Sequence, residues 1–369
     1  METQKKKDVR LMSLDALRGF DMLFIMGFAG WIVALCNFFP DSALMQWLSG
    51  QMKHVEWNGL THHDTIFPLF LFVAGISFPF SLTKQRAHGK TEQSIYYKII
   101  KRGIVLVLLG FVYNGIFKLD FENMRYASVL ARIGLAWMFA ALLFVSFKTK
   151  INIVISLVIL VGYWLLLWLI PDGADPYSLE NNLVGAVDRV LLPGRLNQGI
   201  FDPEGLLSTV PAIVTAMLGM FTGQLVQLSD EKCSGNKKVV YMLIAAAVFL
   251  LIGWLWNYVF PINKKLWSSS FVCVLAAYSL ILFALFYYII DVKGYSGWSF
   301  FFRIIGLNSI TIYLAQRIIN FSQISDFFLG GLAAKCPETL GNLINISGYV
   351  AVCWLFLYFL YKQRIFLKV

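Results

Sequence analysis

Charge is scarce in this chain. Of 369 residues only 14% are Asp, Glu, Lys or Arg, whereas a soluble globular domain carries about a quarter. Acidic groups are the scarcer kind, 21 against 31 basic, which leaves a formal net charge of +10. Histidine occurs four times and cysteine five times. Five cysteines without metal-type spacing exclude a zinc module and a disulfide-stapled secreted fold. The chain also lacks low-complexity tracts apart from the short lysine run at 5–7, which excludes a disordered protein. The basic balance does not make it a soluble nucleic-acid binder, because too few polar residues remain to solvate a globular surface.

What the sequence has in abundance is apolar: 58% hydrophobic and 16% aromatic residues, with a mean hydropathy of +0.68. A bilayer core of about 30 Å needs about twenty apolar residues of helix. Ten such runs are found, near 17–38, 65–84, 97–117, 128–147, 151–170, 206–226, 239–260, 269–290, 299–320 and 342–361. Backbone polar groups in lipid must bond within their own segment, so these runs are read as helices. The expected fold is an all-α polytopic membrane protein with about ten spans, forming a single transmembrane domain over 1–369. Arg102 and Arg303 intrude near the ends of the third and ninth runs.

Lys and Arg set the orientation. With a cytoplasmic N-terminus, nineteen fall on the cytoplasmic side and eight opposite, leaving Arg18, Arg132, Arg303 and Arg317 in or beside helices. Both termini are therefore expected in the cytoplasm, and the first run is read as a retained signal anchor. The two longest outward-facing segments are about 39–64 and 171–205. The second, continued to Glu204, holds Asp172, Asp175, Glu180, Asp188, Asp202 and Glu204 against two arginines, so the outer surface is acidic. Gly219 and Gly223, four apart, read as helix-packing positions.

Three of the four histidines, His54, His62 and His63, lie within ten residues, just before the second span. Histidine transfers protons near neutral pH and can act as a nucleophile. By spacing, His62, His63 and Asp64 are possible metal ligands, but neighbours on a regular element point apart, and no metal is expected. Asp64 and Pro68 suit the first turn of the second helix, where an acid favours the positive dipole end and the missing N–H matters little. In the first span Asp15, Arg18 and Asp21 stack on one face, where carboxylates can neutralise the arginine.

Several blocks, in order, carry a family resemblance. They are Arg10-Leu-Met-Ser-Leu-Asp15-Ala-Leu-Arg18-Gly19, His54-x-x-Trp57-Asn58-Gly59-Leu60-Thr61-x-x-Asp64-x-x-Phe67-Pro68, Val129-Leu-Ala-Arg132-Ile, Phe201-Asp202-Pro203-Glu204-Gly205, Asn263-Lys-Lys-Leu266-Trp267-Ser268 and Gly306-Leu-Asn308-Ser309-Ile310-x-x-Tyr313. Together they resemble the heparan-α-glucosaminide N-acetyltransferases and their bacterial relatives. The resemblance implies acetyl transfer from cytosolic acetyl-CoA to the amino group of a glucosamine-type sugar on the far side of the membrane. It implies that His54 is catalytic, as general base or as transient acetyl acceptor, and that the protein is a homodimer. The human-type enzyme carries an additional N-terminal luminal region and helix. The expectation here is accordingly a bacterial inner-membrane member acting on free glucosamine or a glycan-derived amino sugar.

The expected roles follow from this chemistry. Asn58 donates to the developing oxyanion, and Asp64 orients His54 or holds the ammonium of the sugar. Trp57, Asp202 and Glu204 bind the acceptor. Arg18 and Arg132, taken to lie nearer the cytoplasmic end, and Asn308 contact acetyl-CoA, whose pantetheine arm would fill a narrow cavity between helices. His62 and His63 stand where the human-type pattern is apolar and receive no role. Sugar O-acetylation and carriage of an amino sugar without catalysis are the alternatives.

Overall fold

Apolar length decides the elements. The structure, a computed structural model, describes residues 11–367 except Asp172 and Ala174. Lys5, Lys6, Lys7, Arg10, Asp172 and Lys368, counted above for charge or motif, lie outside the described residues. Among the described residues, eight helices are long and apolar enough to cross a membrane, or nine if one bent pair forms a single span. The first span, Met12–Cys36, comprises α1 (Met12–Leu23), a π-helical turn and α2 (Ala29–Cys36). Gly27 takes φ +126° in that turn, a conformation open to glycine at little steric cost.

The remaining spans are α4 (His62–Ala87), α6 (Val129–Ser146), α7 (Thr149–Leu169), α9 (Thr209–Gln227) and α10 (Gly235–Trp256). They are followed by α11 (Ser269–Tyr287), extended by a π turn to Val292, and by α15 (Glu338–Lys362). The bent pair is Gly297–Leu307, whose α-helical part is α12 (Phe300–Leu307), with α13 (Ser309–Ile318), at 56°. The third predicted run is α5 (Glu92–Tyr113), a helix of sufficient length in which Lys98, Lys101 and Arg102 interrupt the apolar face. All ten runs thus fall on helix. Shorter helices unannounced by hydropathy are α3 (Ala43–Gln51), α8 (Leu183–Leu191) and α14 (Phe321–Ala333).

The second span differs from expectation at its start. It begins at His62, so Pro68 falls in the second turn rather than the first. The reason is a reciprocal cap: Thr61 and Asp64 form a capping box that satisfies backbone donors three residues ahead of the apolar run.

Helix α4 is the centre of the bundle, packed closely on α9. A Cβ on Gly219 would lie 2.1 Å from the Phe72 carbonyl oxygen, and one on Gly75 2.2 Å from that of Ala216. Backbone therefore touches backbone, the arrangement small residues permit between membrane helices. Gly219→Ala should force the pair apart and destabilise the protein by about 1–3 kcal/mol. An unchanged thermal unfolding temperature in lipid nanodiscs would contradict this packing. Around the centre, α10 presents Leu243, Ile244, Leu251, Trp254 and Leu255 outward. That exposed apolar belt is the surface a bilayer covers. All five cysteines are free.

Because the spans alternate in direction, the segments 37–61, 114–128, 170–208 and 257–268 gather at one end. The start of α1 and the segment 88–91 lie at the other.

Candidate active site

His54 sits in the loop that leads down to α4. Thr61 Oγ1 donates to the Lys53 carbonyl (2.7 Å) and closes this loop. Gly59, at φ +118°, donates its N–H to the Ile262 carbonyl (2.8 Å), which joins the loop to 257–268. The His54 side chain is about half exposed, while Asp64 beside it is buried. Nδ1 of His54 lies 2.7 Å from Oδ1 of Asp64. Asp64 Oδ2 accepts from Thr61 Oγ1 at 2.8 Å and from the backbone N–H of Thr61 and Val55, each at 3.3 Å. An ionised carboxylate only accepts, so Nδ1 carries a proton, and in the neutral ring Nε2 is then the nitrogen with the lone pair.

Lys264, 210 residues along the chain, completes the cluster. Its Nζ is 3.4 Å from Asp64 Oδ1 and 3.2 Å from His54 Nδ1. With Nδ1 protonated, the second distance is proximity and the ion pair with Asp64 is the bond. Burial pushes the Lys264 ammonium below its ordinary pKa, and Asp64 opposes the fall. Three residues on, the fully buried Trp267 has φ +54°. A bulky side chain in the left-handed region is strained, and such strain gathers at functional sites. Asn58 accepts from Asn263 Nδ2 through its Oδ1 (3.1 Å), so its amide nitrogen is the donor left for a ligand. His63 brings its ring to 4.5 Å from that of His54, and His62 Nδ1 lies 3.0 Å from the Tyr278 hydroxyl.

A second cluster adjoins the first. Arg125 forks onto Asp202, Nε to Oδ2 at 2.8 Å and Nη2 to Oδ1 at 2.6 Å, and also contacts Glu204. An isolated bridge to Gly194 holds Arg125 against the same loop. Asp202 is fully buried and further accepts from the Asn197 and Glu204 backbone N–H. Its carboxylate is thereby used up in shaping the loop. Glu204 keeps some exposure and acts electrostatically on Lys264, which links the two clusters. The two carboxylates hold the Arg125 guanidinium above its ordinary pKa, against the effect of burial. Trp57 donates to the Tyr177 carbonyl (2.7 Å) and packs edge-on against Phe201, tying the segments 37–61 and 170–208 together.

Of the three residues expected to contact acetyl-CoA, one changes place and the three lie apart. Arg132 lies at the His54 end, because it stands one turn into α6, whose N-terminus follows the 114–128 loop. Its guanidinium donates to the Gly205 carbonyl at 3.2 Å, touches Ser208 Oγ and lies 5.0 Å from the Trp267 ring. Arg18 is at the opposite end, near Asp15 (3.6 Å) and donating to Ser77 Oγ (3.2 Å). Asn308 occupies the break of the bent pair, where it donates to the Ile365 carbonyl and accepts from Leu367 N–H. The three therefore do not converge. An interhelical cavity lined by Met22, Phe67, Ile133 and Tyr313 among others holds about 30 Å³. That admits one water-sized group and is too small for a pantetheine arm.

Lys264, Arg125 and Asp188 had no site role on sequence grounds. The signal available was a lysine inside the Asn263 block and a basic residue at an otherwise acidic end. Asp188 of α8 is fully buried and accepts from Leu206 N–H at 2.9 Å, while its Oδ2 has no partner among the described residues. Burial pushes its carboxyl up to about 7. The folded protein therefore holds a proton there that an unfolded carboxyl releases near pH 4, at about 3.9. Stability falls as pH rises through that window. Asp188→Asn removes the titration, so its melting temperature relative to wild type should climb between pH 5 and pH 8. A difference independent of pH would refute the assignment.

Among the described residues, no three or more His, Cys, Asp or Glu side chains are grouped to hold a metal ion. The arrangement suits proton transfer: a half-exposed imidazole, oriented by a buried carboxylate, with amide and cationic donors close by. A family described as a domain of unknown function, DUF5009, matches residues 10–182. The chain is 26% identical to heparan-alpha-glucosaminide N-acetyltransferase of Mus musculus, covering 100% of this chain and 62% of that protein. It is 25% identical to the protein of the same name from Homo sapiens, covering 98% of this chain and 60% of that one. The chain thus spans about six-tenths of the length of the curated relatives it matches. With its apolar helices and its six blocks, it is a multi-pass membrane protein similar from end to end to the heparan-alpha-glucosaminide N-acetyltransferases.

Proposed function

We propose that the protein transfers an acetyl group from acetyl-CoA to the amino group of a glucosamine-type sugar, with His54 at the reacting centre. The observation that carries this reading is the His54–Asp64 pair, in which Asp64 engages Nδ1 of a half-exposed imidazole and leaves Nε2 for the substrate. Nε2 takes a proton from the attacking amine, or itself attacks the thioester and forms an acetyl-imidazole that the amine then opens. In both routes the carbonyl oxygen gains negative charge, which the Asn58 amide and the Lys264 ammonium stabilise. The thiolate of CoA leaves and takes up a proton. Glu204 holds the amino sugar in this scheme, and Asp202 acts through Arg125 as a positioning residue. Asp64 fixes the ring of His54 and its tautomer.

The test is turnover by the full chain in lipid nanodiscs. Acetyl-CoA and glucosamine together are expected to release free CoA thiol and give N-acetylglucosamine by mass spectrometry, stable to mild alkali as an amide is. An alkali-labile product would mean O-acetylation instead. Uptake of unmodified sugar into liposomes, with no thiol released, would identify a carrier and defeat the proposal.

A further inference from the structure

At the end of the bundle remote from His54, α4, α5 and α6 enclose an open cavity of about 680 Å³. Lys98, Lys101 and Arg102 line it from α5, with Ser81 and Gln85 from α4 and Trp137 from α6. No carboxylate is among its lining residues. Arg102 stands ten residues into α5, about 15 Å along the helix from its start. Its guanidinium lies 4.1 Å from the centre of the Trp137 ring. Its Nε is sealed from solvent and bonded to nothing among the described residues. Arg18 lies close enough to repel it electrostatically.

Topological bias toward cytoplasmic lysine explains basic residues in loops. It does not explain an arginine drawn between helices with no anion beside it among the described residues. Such a charge is costly in a membrane protein unless it meets a partner. Opposite it, Ser77, Ser81 and Gln85 recur every four residues along one face of α4, and Gln85 orients two of the groups: its Nε2 donates to Ser81 Oγ (3.2 Å) and its Oε1 accepts from Lys98 (3.1 Å). Forked guanidinium, two ammonium groups and neutral donors around an open space form the donor set that phosphate oxygens satisfy. The volume lies within the range of small-molecule sites.

We propose that this cavity is a phosphate-binding pocket in which Arg102 makes the central contact and Lys98 and Lys101 neutralise further charge. Two sources offer that chemistry, the phosphates of a nucleotide-bearing thiol such as coenzyme A and the headgroup of an anionic phospholipid. The pocket is separate from the His54 cluster, and its assignment stands whether or not acetyl transfer occurs there.

The full chain in phosphatidylcholine nanodiscs tests it in two arms. In one, coenzyme A and phosphate-free pantetheine are titrated by calorimetry. In the other, phosphatidylglycerol is added to the lipid, and the molecules retained are counted by native mass spectrometry. Arg102→Gln is expected to weaken coenzyme A, or the retention of phosphatidylglycerol, by about tenfold or more, the loss of a charged hydrogen bond. Pantetheine should be unaffected. The double variant Lys98→Gln/Lys101→Gln, at exposed positions, should move the same arm and guards against misfolding of the first. A change in the coenzyme A arm names the donor's phosphates; a change in the lipid arm names the headgroup. If both variants fold and neither arm changes, the pocket is not a phosphate site.

Discussion

Replacing His54 with alanine is expected to lower turnover with acetyl-CoA and glucosamine by about 10²–10⁴-fold, the range that a positioned acid–base group supplies. The fold should survive, because the side chain is half exposed and its one strong bond is to Asp64, which keeps its bonds from Thr61 and Val55. Asp64→Asn is expected to leave the ring in place but to favour the wrong tautomer, since an amide can donate to Nδ1 where the carboxylate can only accept. Its loss should therefore approach that of His54→Ala without a comparable fall in binding of the acceptor. Incubation with radiolabelled acetyl-CoA and no acceptor separates the two routes: label retained on His54 marks an acetyl-imidazole, while its absence with full turnover marks general-base catalysis. Undiminished turnover in His54→Ala would remove His54 from the reaction altogether.

The largest expected effect on stability is at Arg125. This side chain is four-fifths withdrawn from solvent and neutralises Asp202, which has no exposed surface, together with Glu204. Truncation to alanine leaves two carboxylates, one of them fully buried, without their cation. Removing one partner of such a buried pair costs about 3–5 kcal/mol. Arg125→Ala should accordingly unfold at a markedly lower temperature in nanodiscs, and proteases should cut more readily within 195–205. Arg125→Lys keeps the charge but loses the two-pronged geometry, so it should fall between the two. Equal melting temperatures for all three proteins would show that the ion cluster contributes nothing. The cluster also bears on chemistry, because the loop it shapes delivers Glu204 toward Lys264. Arg125 variants that still fold should raise the KM for the amino sugar more than they lower kcat.

Much of this was legible in the residues. Apolar runs of bilayer length fell on helix, since helix formation in lipid depends on local length and composition. His54 and Asp64 are ten residues apart, and the cap that begins α4 brings them together, so their partnership is nearly local too. Gly219 proved to be a contact point between α9 and α4, as four-residue spacing of small residues suggests. Other features misled. Asp202 and Glu204 read as free acids on an acidic surface, and the structure engages both with one arginine. Pro68 read as a first-turn residue because hydropathy begins after the polar cap that actually starts the helix. Arg132 was assigned to the wrong end.

The sequence by itself determined a helical membrane protein, the approximate limits of its spans and the histidine block at one end. Only the tertiary structure decided that Lys264, 210 residues from His54, completes that block, that Arg125 reaches across 77 residues to Asp202, and that Arg102 faces an open basic cavity. Hydrophobic length and capping act over a few residues and leave a trace in the order of amino acids. Ion pairs between loops depend on which helix ends meet, and that is set by packing of α4 against α9 and their neighbours.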